Sequence, residues 1–274
     1  MNVIIPIHDR PEFAARCFRS VARADKQYDG KVNVFIYGDD GPECPEVVNL
    51  SLEIMGHMNI DHHIWPDKKG HTAMASAMIH HTTRRDGPFI LLESDIEVSS
   101  SYFQYMNELY SRHGDDDRYY EIHADRRHHA VDVSDPYKYC ENRWISTLGP
   151  MLFPDRMNLF FDHIGWFFED PEGLYEHFES QIPKSLRPSM IKPSGEFFNH
   201  AWGGLMLIDM LVNDRTTLMP WTDSQVAHLG WYGYNSNREM QERQGVTRPE
   251  DDQHWPRFFS RDMADFDPSK MVKR

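Results

Sequence analysis

Short apolar runs alternate with helical patterns over the first hundred residues. The run Val3-Ile4-Ile5-Pro6-Ile7 is rich in β-branched residues, and comparable runs occupy residues 32–37 and 89–92. Continuous apolar runs of this length predict strands buried on both faces, as in a parallel sheet. Between them, Asp9-Arg10-Pro11-Glu12 has the spacing of a capping box at a helix start, and residues 71–84 form a second helical pattern. This alternation predicts an α/β fold with a doubly wound, mostly parallel sheet.

The pattern is less regular in the second half of the chain. An aromatic-rich helix is predicted over residues 102–110, and the polar, His-rich stretch from residue 115 to about 140 is interpreted as surface loops. A glycine-marked segment, Ala201-Trp202-Gly203-Gly204, precedes an apolar helix predicted over residues 205–212. Beyond residue 235 the chain becomes polar and charged, which is typical of a tail that packs on the domain or on a partner.

Composition narrows the classes of function. The 274 residues, 40% of them hydrophobic, are enough for a substantial core. The formal net charge of −14 disfavours duplex nucleic acid and anionic membranes as partners, although a local basic groove is not excluded. Three widely spaced cysteines without a CxxC pair indicate neither a disulfide framework nor a thiolate zinc site. No apolar run approaches the roughly 18 residues of a membrane span, so we expect neither anchor nor signal peptide, and a cytoplasmic location.

Carboxylates follow two of the predicted strands. Asp39-Asp40 lies in a glycine-bounded turn after the second strand, and Glu93-Ser94-Asp95 follows the third. If the latter segment is extended, its two acids point to the same side and can share one cation. A cation held in this way can neutralise a departing diphosphate. An acid-x-acid triplet is also common at solvated strand ends. The triplet alone therefore does not indicate a cation site, and its position after a buried strand is needed as further support.

Four segments, taken in order, resemble the family 2 glycosyltransferases and their GT-A relatives. They are residues 3–11, residues 36–42, Lys68-Lys69-Gly70-His71 and residues 91–95. The resemblance covers roughly residues 1–105 and thins to a few landmarks beyond. It implies a GT-A type domain with a nucleotide-sugar-binding half over residues 1–108, an acceptor-binding half over 109–235 and a polar tail over 236–274.

The resemblance also implies a donor site. The first strand's loop and the acidic turn would surround the base and ribose, because carboxylates accept hydrogen bonds from base N–H groups and ribose hydroxyls. The residues implied there are Pro6, His8, Arg10, Asp39 and, as a second acid, Asp40. By the same likeness Lys69 and Gly70 would lie near the phosphates. An ordinary acidic turn and a solvated lysine pair are the alternative interpretations.

For the cation, Mn²⁺ or Mg²⁺, the resemblance implies Asp95 as a direct ligand. Glu93 replaces the family's usual Asp, is longer by one methylene and would reach the ion through water. His228, in a late segment that resembles the family's C-terminal metal-binding histidine, would complete the site, since Mn²⁺ accepts mixed oxygen and nitrogen ligands. The alternative is that one of 16 histidines falls there by chance.

The sugar wall and the catalytic base are less clearly marked. Trp202, Gly203 and Gly204 resemble the small-residue turn that lets the backbone approach the donor sugar, although a tight helix entry would look the same. The family's acidic pair is missing after the glycines. Candidate bases are therefore Glu196, Asp223 and Asp170, and inverting and retaining chemistry both remain open.

The expected activity is metal-dependent transfer of a hexose-like sugar from a nucleoside diphosphate donor, with a UDP-sugar as first choice, to a hydroxyl acceptor. A sugar nucleotidyltransferase is less well supported, because no glycine-rich loop follows the first strand. A His-rich metallohydrolase is also disfavoured, because neighbouring residues on a helix or strand do not face the same ion. The adjacent histidine pairs are His62-His63, His80-His81 and His128-His129. A catalytically silent nucleotide-sugar-binding protein stays an alternative.

Overall fold

The computed structural model describes residues 1–7, 10–67, 69, 72–85, 87–125, 135, 137–187, 202–221, 225–228 and 266–273. The strands there are β1 (Asn2–Pro6), β2 (Asn33–Gly38), β3 (Asn59–Ile64), β4 (Phe89–Leu91), β5 (Ile96–Val98), β6 (Tyr119–Ile122), β7 (Lys138–Asn142), β8 (Met151–Leu152), β9 (Thr216–Pro220), β10 (Val226–His228) and β11 (Val272–Lys273). The α-helices are α1 (Pro11–Asp25), α2 (Cys44–Met55), α3 (Ala73–Thr82), α4 (Tyr102–His113), α5 (Asn158–Glu169), α6 (Pro171–Glu179) and α7 (Gly203–Val212).

Nine of these strands form one sheet in the order β11-β7-β9-β6-β8-β4-β1-β2-β3, while β5 and β10 pair separately. Strands β4, β1, β2 and β3 are parallel to one another, and β6 is parallel to β9. The short strand β8 is antiparallel to both β4 and β6, so those two run in the same direction. The predicted doubly wound, mostly parallel α/β sheet is confirmed.

Helices cover both faces of the sheet, which explains why its first strands are apolar without interruption. Along β1, Val3 and Ile5 pack into the cluster that contains α1, α2 and α4. Ile4 packs into the opposite cluster, with α3, α5, α6 and α7. Because successive side chains of a strand point to opposite faces, both sets are apolar when both faces are covered.

Helix α1 begins one residue later than the predicted capping box requires. Pro11 is its first residue and Arg10 its N-cap, which makes no side-chain capping bond. Proline has a backbone angle suited to the first helical position, so it sets the start of the helix. The prediction that Asp9 caps the helix is therefore wrong, and Asp9 itself lies outside the described residues.

The interpretation of residues 115–140 as surface loops is also wrong in part. Residues 119–122 form β6, which is buried along its whole length between β8 and β9, and β7 begins at Lys138. The described end of the tail packs on the domain, since Phe266 and Met271 are buried and β11 extends the sheet beside β7. Among the described residues, no helix is long and apolar enough to cross a membrane.

Candidate active site

The carboxyl ends of β4, β1 and β2 meet at one edge of the sheet. In open α/β sheets ligands bind at this edge, where the strand order reverses, and here the reversal lies between β1 and β4. Pro6 ends β1 opposite Tyr37 of β2. Asp39 follows β2 directly, and Asp95 lies four residues beyond the end of β4.

Asp39 is held in place by the chain after β3. Its side chain is buried, and its Oδ2 accepts a hydrogen bond from the backbone N–H of Lys69 at 2.8 Å. The preceding residue, Gly38, is closely packed, because a Cβ there would lie 2.6 Å from Cys44 Sγ and 2.7 Å from Ile64 Cδ1. The neighbouring Asp40 is exposed. The edge therefore presents one fixed, buried carboxylate and one solvated carboxylate.

Lys69 meets Asp39 through its backbone and not through its ammonium group. Its Nζ lies 2.8 Å from Asp67 Oδ2 and 5.6 Å from the ring centroid of Trp65. Both contacts are at the surface, so the ammonium is available to an incoming anion at small cost.

Asp95 is paired with the residue that ends the first strand's loop. Arg10 Nη1 lies 3.0 Å from Asp95 Oδ2; the Asp95 side chain is 5% exposed and that of Arg10 is 34% exposed. The guanidinium also lies 5.6 Å from the ring centroid of Phe13. An arginine at this place supplies a positive charge directly beside the carboxylate.

The expected extended geometry of Glu93 and Asp95 is wrong. Strand β4 ends at Leu91, and the N–H of Ile96 donates to the carbonyl of Glu93 at 3.0 Å, which closes a turn. In a turn the i and i+2 side chains no longer share one side. Their environments differ accordingly, since Asp95 is buried and Glu93 is partly exposed.

Strand β10 brings the late histidine segment beside this turn. β10 pairs antiparallel with β5, and His228 stands opposite Ile96, the residue after Asp95. The pairing is extended by Gln225, whose carbonyl accepts from the Ser99 N–H at 2.9 Å. The backbone thus places residue 228 directly opposite residue 96, the neighbour of Asp95 in the chain; the His228 side chain is outside the description.

The glycines at residues 203 and 204 have packing reasons in the structure. A Cβ on Gly203 would lie 2.9 Å from Thr147 Cγ2, and one on Gly204 would lie 2.3 Å from the Tyr175 hydroxyl oxygen. Trp202 is the N-cap of α7 and only 8% exposed. Close helix packing therefore accounts for both glycines, and the predicted contact with a donor sugar stays a prediction.

Asp170 has a structural role. It is the N-cap of α6, and its Oδ1 accepts from the Gly173 N–H at 3.0 Å, an arrangement that stabilises helix starts. Asp209 is fully buried inside α7, where its carboxylate accepts from the Phe160 N–H at 2.9 Å. The remaining candidates, Glu196 and Asp223, lie outside the described residues, as do His8 and Gly70.

Sequence reasoning missed a group of buried polar residues at the same edge. Glu121, His123 and Asp125 alternate along β6 and the residues after it, so they share one face, and all three are buried. His123 Nε2 lies 2.5 Å from Glu121 Oε1, which also accepts from the Ser146 N–H at 2.8 Å. The strict polar–apolar alternation Glu121-Ile122-His123-Ala124-Asp125 is the signal that could have identified this strand.

The carbonyl of Ala124 links this strand to β10, because it accepts from the Gln225 N–H at 2.7 Å. β6 runs in the same direction as β4, so Asp125 and Asp95 belong to the same edge of the sheet. In the described part of the chain, no group of three or more His, Cys, Asp or Glu side chains is arranged to hold a metal ion. A cation here would need oxygen atoms from a ligand or water as well.

No family model and no curated protein sequence matches the chain. Among solved structures, it is similar to Staphylococcus aureus TarS 1-349, with 9% identity, a TM-score of 0.46, and coverage of 80% of this chain and 56% of that one. The chain thus spans little more than half of that structure. A TarS structure in complex with UDP-GlcNAc matches with 12% identity and a TM-score of 0.34, over 50% of this chain and 37% of that one.

The chain is also similar to the mannosyltransferase PcManGT from Pyrobaculum calidifontis, whose structure is a complex with GDP-Man and Mn²⁺. There the identity is 9%, the TM-score 0.44, and coverage 96% of this chain and 84% of that one. Because every one of these TM-scores is below 0.5, the likenesses do not by themselves assign a function.

Proposed function

We propose that this chain is a glycosyltransferase that transfers a sugar from a nucleoside diphosphate donor, with a divalent cation, to a hydroxyl acceptor. The observation that carries the proposal is the pair of buried carboxylates, Asp39 and Asp95, at the carboxyl ends of β2 and β4 on either side of β1. Strands two places apart in a sheet are separated by roughly 10 Å. One elongated ligand can therefore reach both carboxylates.

In this proposal Asp39 binds the nucleoside. Its Oδ2 is oriented by the Lys69 N–H, so the carboxylate is held in a fixed position, and a carboxylate is an acceptor suited to a base N–H or a ribose hydroxyl. Hydrogen bonds to a charged group in a buried position are stronger than those at the surface. Pro6 at the end of β1 and Asp40 in the same turn flank this position.

The diphosphate then lies toward Asp95 and Arg10. A guanidinium binds phosphate oxygens well, and its present partner, Asp95, is a hard oxygen ligand suited to Mn²⁺ or Mg²⁺. The cation would be held by Asp95, with Glu93 and His228 as further candidates, and when bound it would stabilise the charge of the departing diphosphate. Arg10 would exchange its carboxylate partner for a phosphate, which keeps both charges paired.

For the general base we favour Asp223. Residues on both sides of it in the chain form hydrogen bonds at the sheet edge that holds Asp95 and Asp125. The Trp221 N–H donates to the Lys138 carbonyl at 2.8 Å, and the Gln225 N–H donates to the Ala124 carbonyl at 2.7 Å. Asp170 is less suitable because its carboxylate already caps α6. Glu196 remains a candidate.

A binding protein without turnover is the second candidate. The Arg10–Asp95 ion pair favours it, because the carboxylate that should hold the cation already has a charged partner. In such a protein Arg10 alone would neutralise the phosphates. The two functions differ in whether the sugar–phosphate bond is broken.

The deciding experiment is incubation with UDP- and GDP-sugars, with and without Mn²⁺, while free nucleoside diphosphate is measured. We expect Mn²⁺-dependent release from one donor class and its loss in Asp95→Asn. Glu97→Gln is the matched control, because it removes the same charge two residues away from a surface pair with Arg16. Tight donor binding without release for every donor and acceptor would support the silent binding protein instead.

A further inference from the structure

A polar cleft lies between the edge of the sheet and the end of α3. It has a volume of about 340 Å³, within the range of small-molecule sites. Phe35 and Tyr37 of β2 form its floor, on the sheet face that α3 covers. Asp61 and His63 stand beside them on β3 in the paired register. Its lining does not include Asp39 or Asp95.

Histidines from two elements meet in this cleft. The rings of His63 and His80 have centroids 3.9 Å apart, and Tyr37 stacks on Trp65 with centroids 5.7 Å apart. His81 is 1% exposed, and its Nδ1 lies 3.3 Å from the Tyr37 hydroxyl. Rings from β3 and α3 therefore come together, which the spacing of the adjacent His pairs along the chain did not reveal.

Several of these ring nitrogens are buried without a partner. Within the described residues, His81 Nε2 and both ring nitrogens of His80 have no hydrogen-bond partner. Buried polar atoms are normally satisfied, so an orphan of this kind calls for a ligand or an ordered water. If the Tyr37 hydroxyl donates to His81 Nδ1, then Nε2 carries the proton and is a donor.

The charges in the cleft are mainly positive. Arg84 and Arg85 line it together with a single carboxylate, Asp61, which is 3.5 Å from Arg85. Arg84 forms no ion pair with a described residue. Burial lowers the pKa of His63, and the nearby charge of Arg84 lowers it further. The His63 ring thus shares the cleft with the guanidinium group of Arg84, which no carboxylate of the described residues neutralises.

We propose that this cleft binds a small phosphate-bearing molecule. Arg84 and Arg85 bind the phosphate oxygens, since guanidinium groups pair well with phosphate, and His81 Nε2 donates a hydrogen bond from the buried wall. The volume exceeds what a single phosphate ion needs, so the ligand carries a small polar body, which the rings of His63 and His80 flank. This site is additional to the proposed donor site and does not depend on it.

The test is calorimetric titration with ribose 5-phosphate, inorganic phosphate and ribose. We expect saturable binding of ribose 5-phosphate, weaker binding of inorganic phosphate and none of ribose. Arg84→Gln should weaken ribose 5-phosphate binding about tenfold to a hundredfold, the loss of one hydrogen bond between charged groups. Arg19→Gln, an exposed arginine on α1, is the matched control and should leave the affinity unchanged.

Three results would overturn the proposal. The first is that neither phosphate compound binds saturably. The second is equal affinity in Arg84→Gln/Arg85→Gln and Arg19→Gln, with thermal unfolding showing that both are folded. The third is competition between the two ligands. If UDP with Mn²⁺ displaces ribose 5-phosphate, and Arg84→Gln weakens the binding of UDP as much as that of ribose 5-phosphate, the cleft is only an extension of the donor site.

Discussion

Protonation of His81 at mildly acidic pH is expected to destabilise the fold. The ring is 1% exposed and packs edge-on against Phe35 and Phe89, with centroids 4.8 and 5.2 Å away. Burial, followed by the positive charges of Arg85 and of a protonated His80, lowers its pKa from 6.5 to about 4. The folded protein therefore keeps this imidazole neutral over a range in which the unfolded chain is protonated.

The sign and size follow from linkage. Because the folded pKa lies below the unfolded one, the contribution of His81 is fully present above pH 6.5 and is lost as the pH falls toward 4. At about 1.36 kcal/mol per pH unit, the difference between 6.5 and about 4 corresponds to ~3 kcal/mol. That is a large share of a typical free energy of unfolding of roughly 5 to 15 kcal/mol.

Urea unfolding, followed by tryptophan fluorescence between pH 7.5 and 4, measures this loss. In His81→Phe the ring and its aromatic contacts are kept and the titrating group is removed, so the pH dependence should become shallower by ~3 kcal/mol over this range. The quantity to compare is the change of the free energy of unfolding with pH, and not its absolute value, because the variant also leaves the Tyr37 hydroxyl without its partner. His57→Gln, at an exposed position, is the control. An unchanged pH slope in His81→Phe would show that the ring is not held neutral by burial.

Two further predictions concern packing and reactivity. Gly204→Ala should lower the free energy of unfolding by about 1 to 3 kcal/mol, because its Cβ would lie 2.3 Å from the Tyr175 hydroxyl oxygen, and adding Tyr175→Phe should recover most of the loss. Thermal unfolding of the single and double variants measures both effects, and additive destabilisation would contradict the proposed clash. Cys17 should resist alkylation in the native protein, because its thiol is buried and burial, together with Asp95 and Glu97, raises its pKa. Peptide mapping after iodoacetamide treatment should find modification at the partly exposed Cys140 and not at Cys17, and rapid native labelling of Cys17 would show that α1 opens readily.

The parts of the fold that the sequence predicts well are those in which one local rule suffices. Strands β1, β2 and β4 are buried on both faces, so their sequences are apolar runs. The acids Asp39 and Asp95 could therefore be placed at the carboxyl ends of β2 and β4. β6 was missed because Glu121 and His123 are polar and yet buried. The two side chains lie 2.5 Å apart inside the sheet, and a contact of this kind between separate side chains cannot be read from composition.

In the candidate active site, too, contacts between segments that are distant in the chain could not be predicted. Residues on one strand end could be predicted, but the Arg10–Asp95 ion pair and the pairing of His228 with Ile96 depend on how separate segments pack. The turn at residues 93–96 overrode the extended geometry expected for Glu93. Likewise, His63 and His81 come from β3 and α3, so only the folded chain brings them into one cleft.

The most direct test of the central claim is the effect of Mn²⁺ on the affinity for a nucleoside diphosphate, measured by calorimetry with UDP and GDP. If Asp95 holds the cation, Mn²⁺ should tighten binding in the wild type and in Glu97→Gln by about tenfold, within the usual range of coupling between ligands. In Asp95→Asn this coupling should disappear, while binding without metal is retained or improved because Arg10 is released to the phosphates. Undiminished Mn²⁺ coupling in Asp95→Asn would contradict the account.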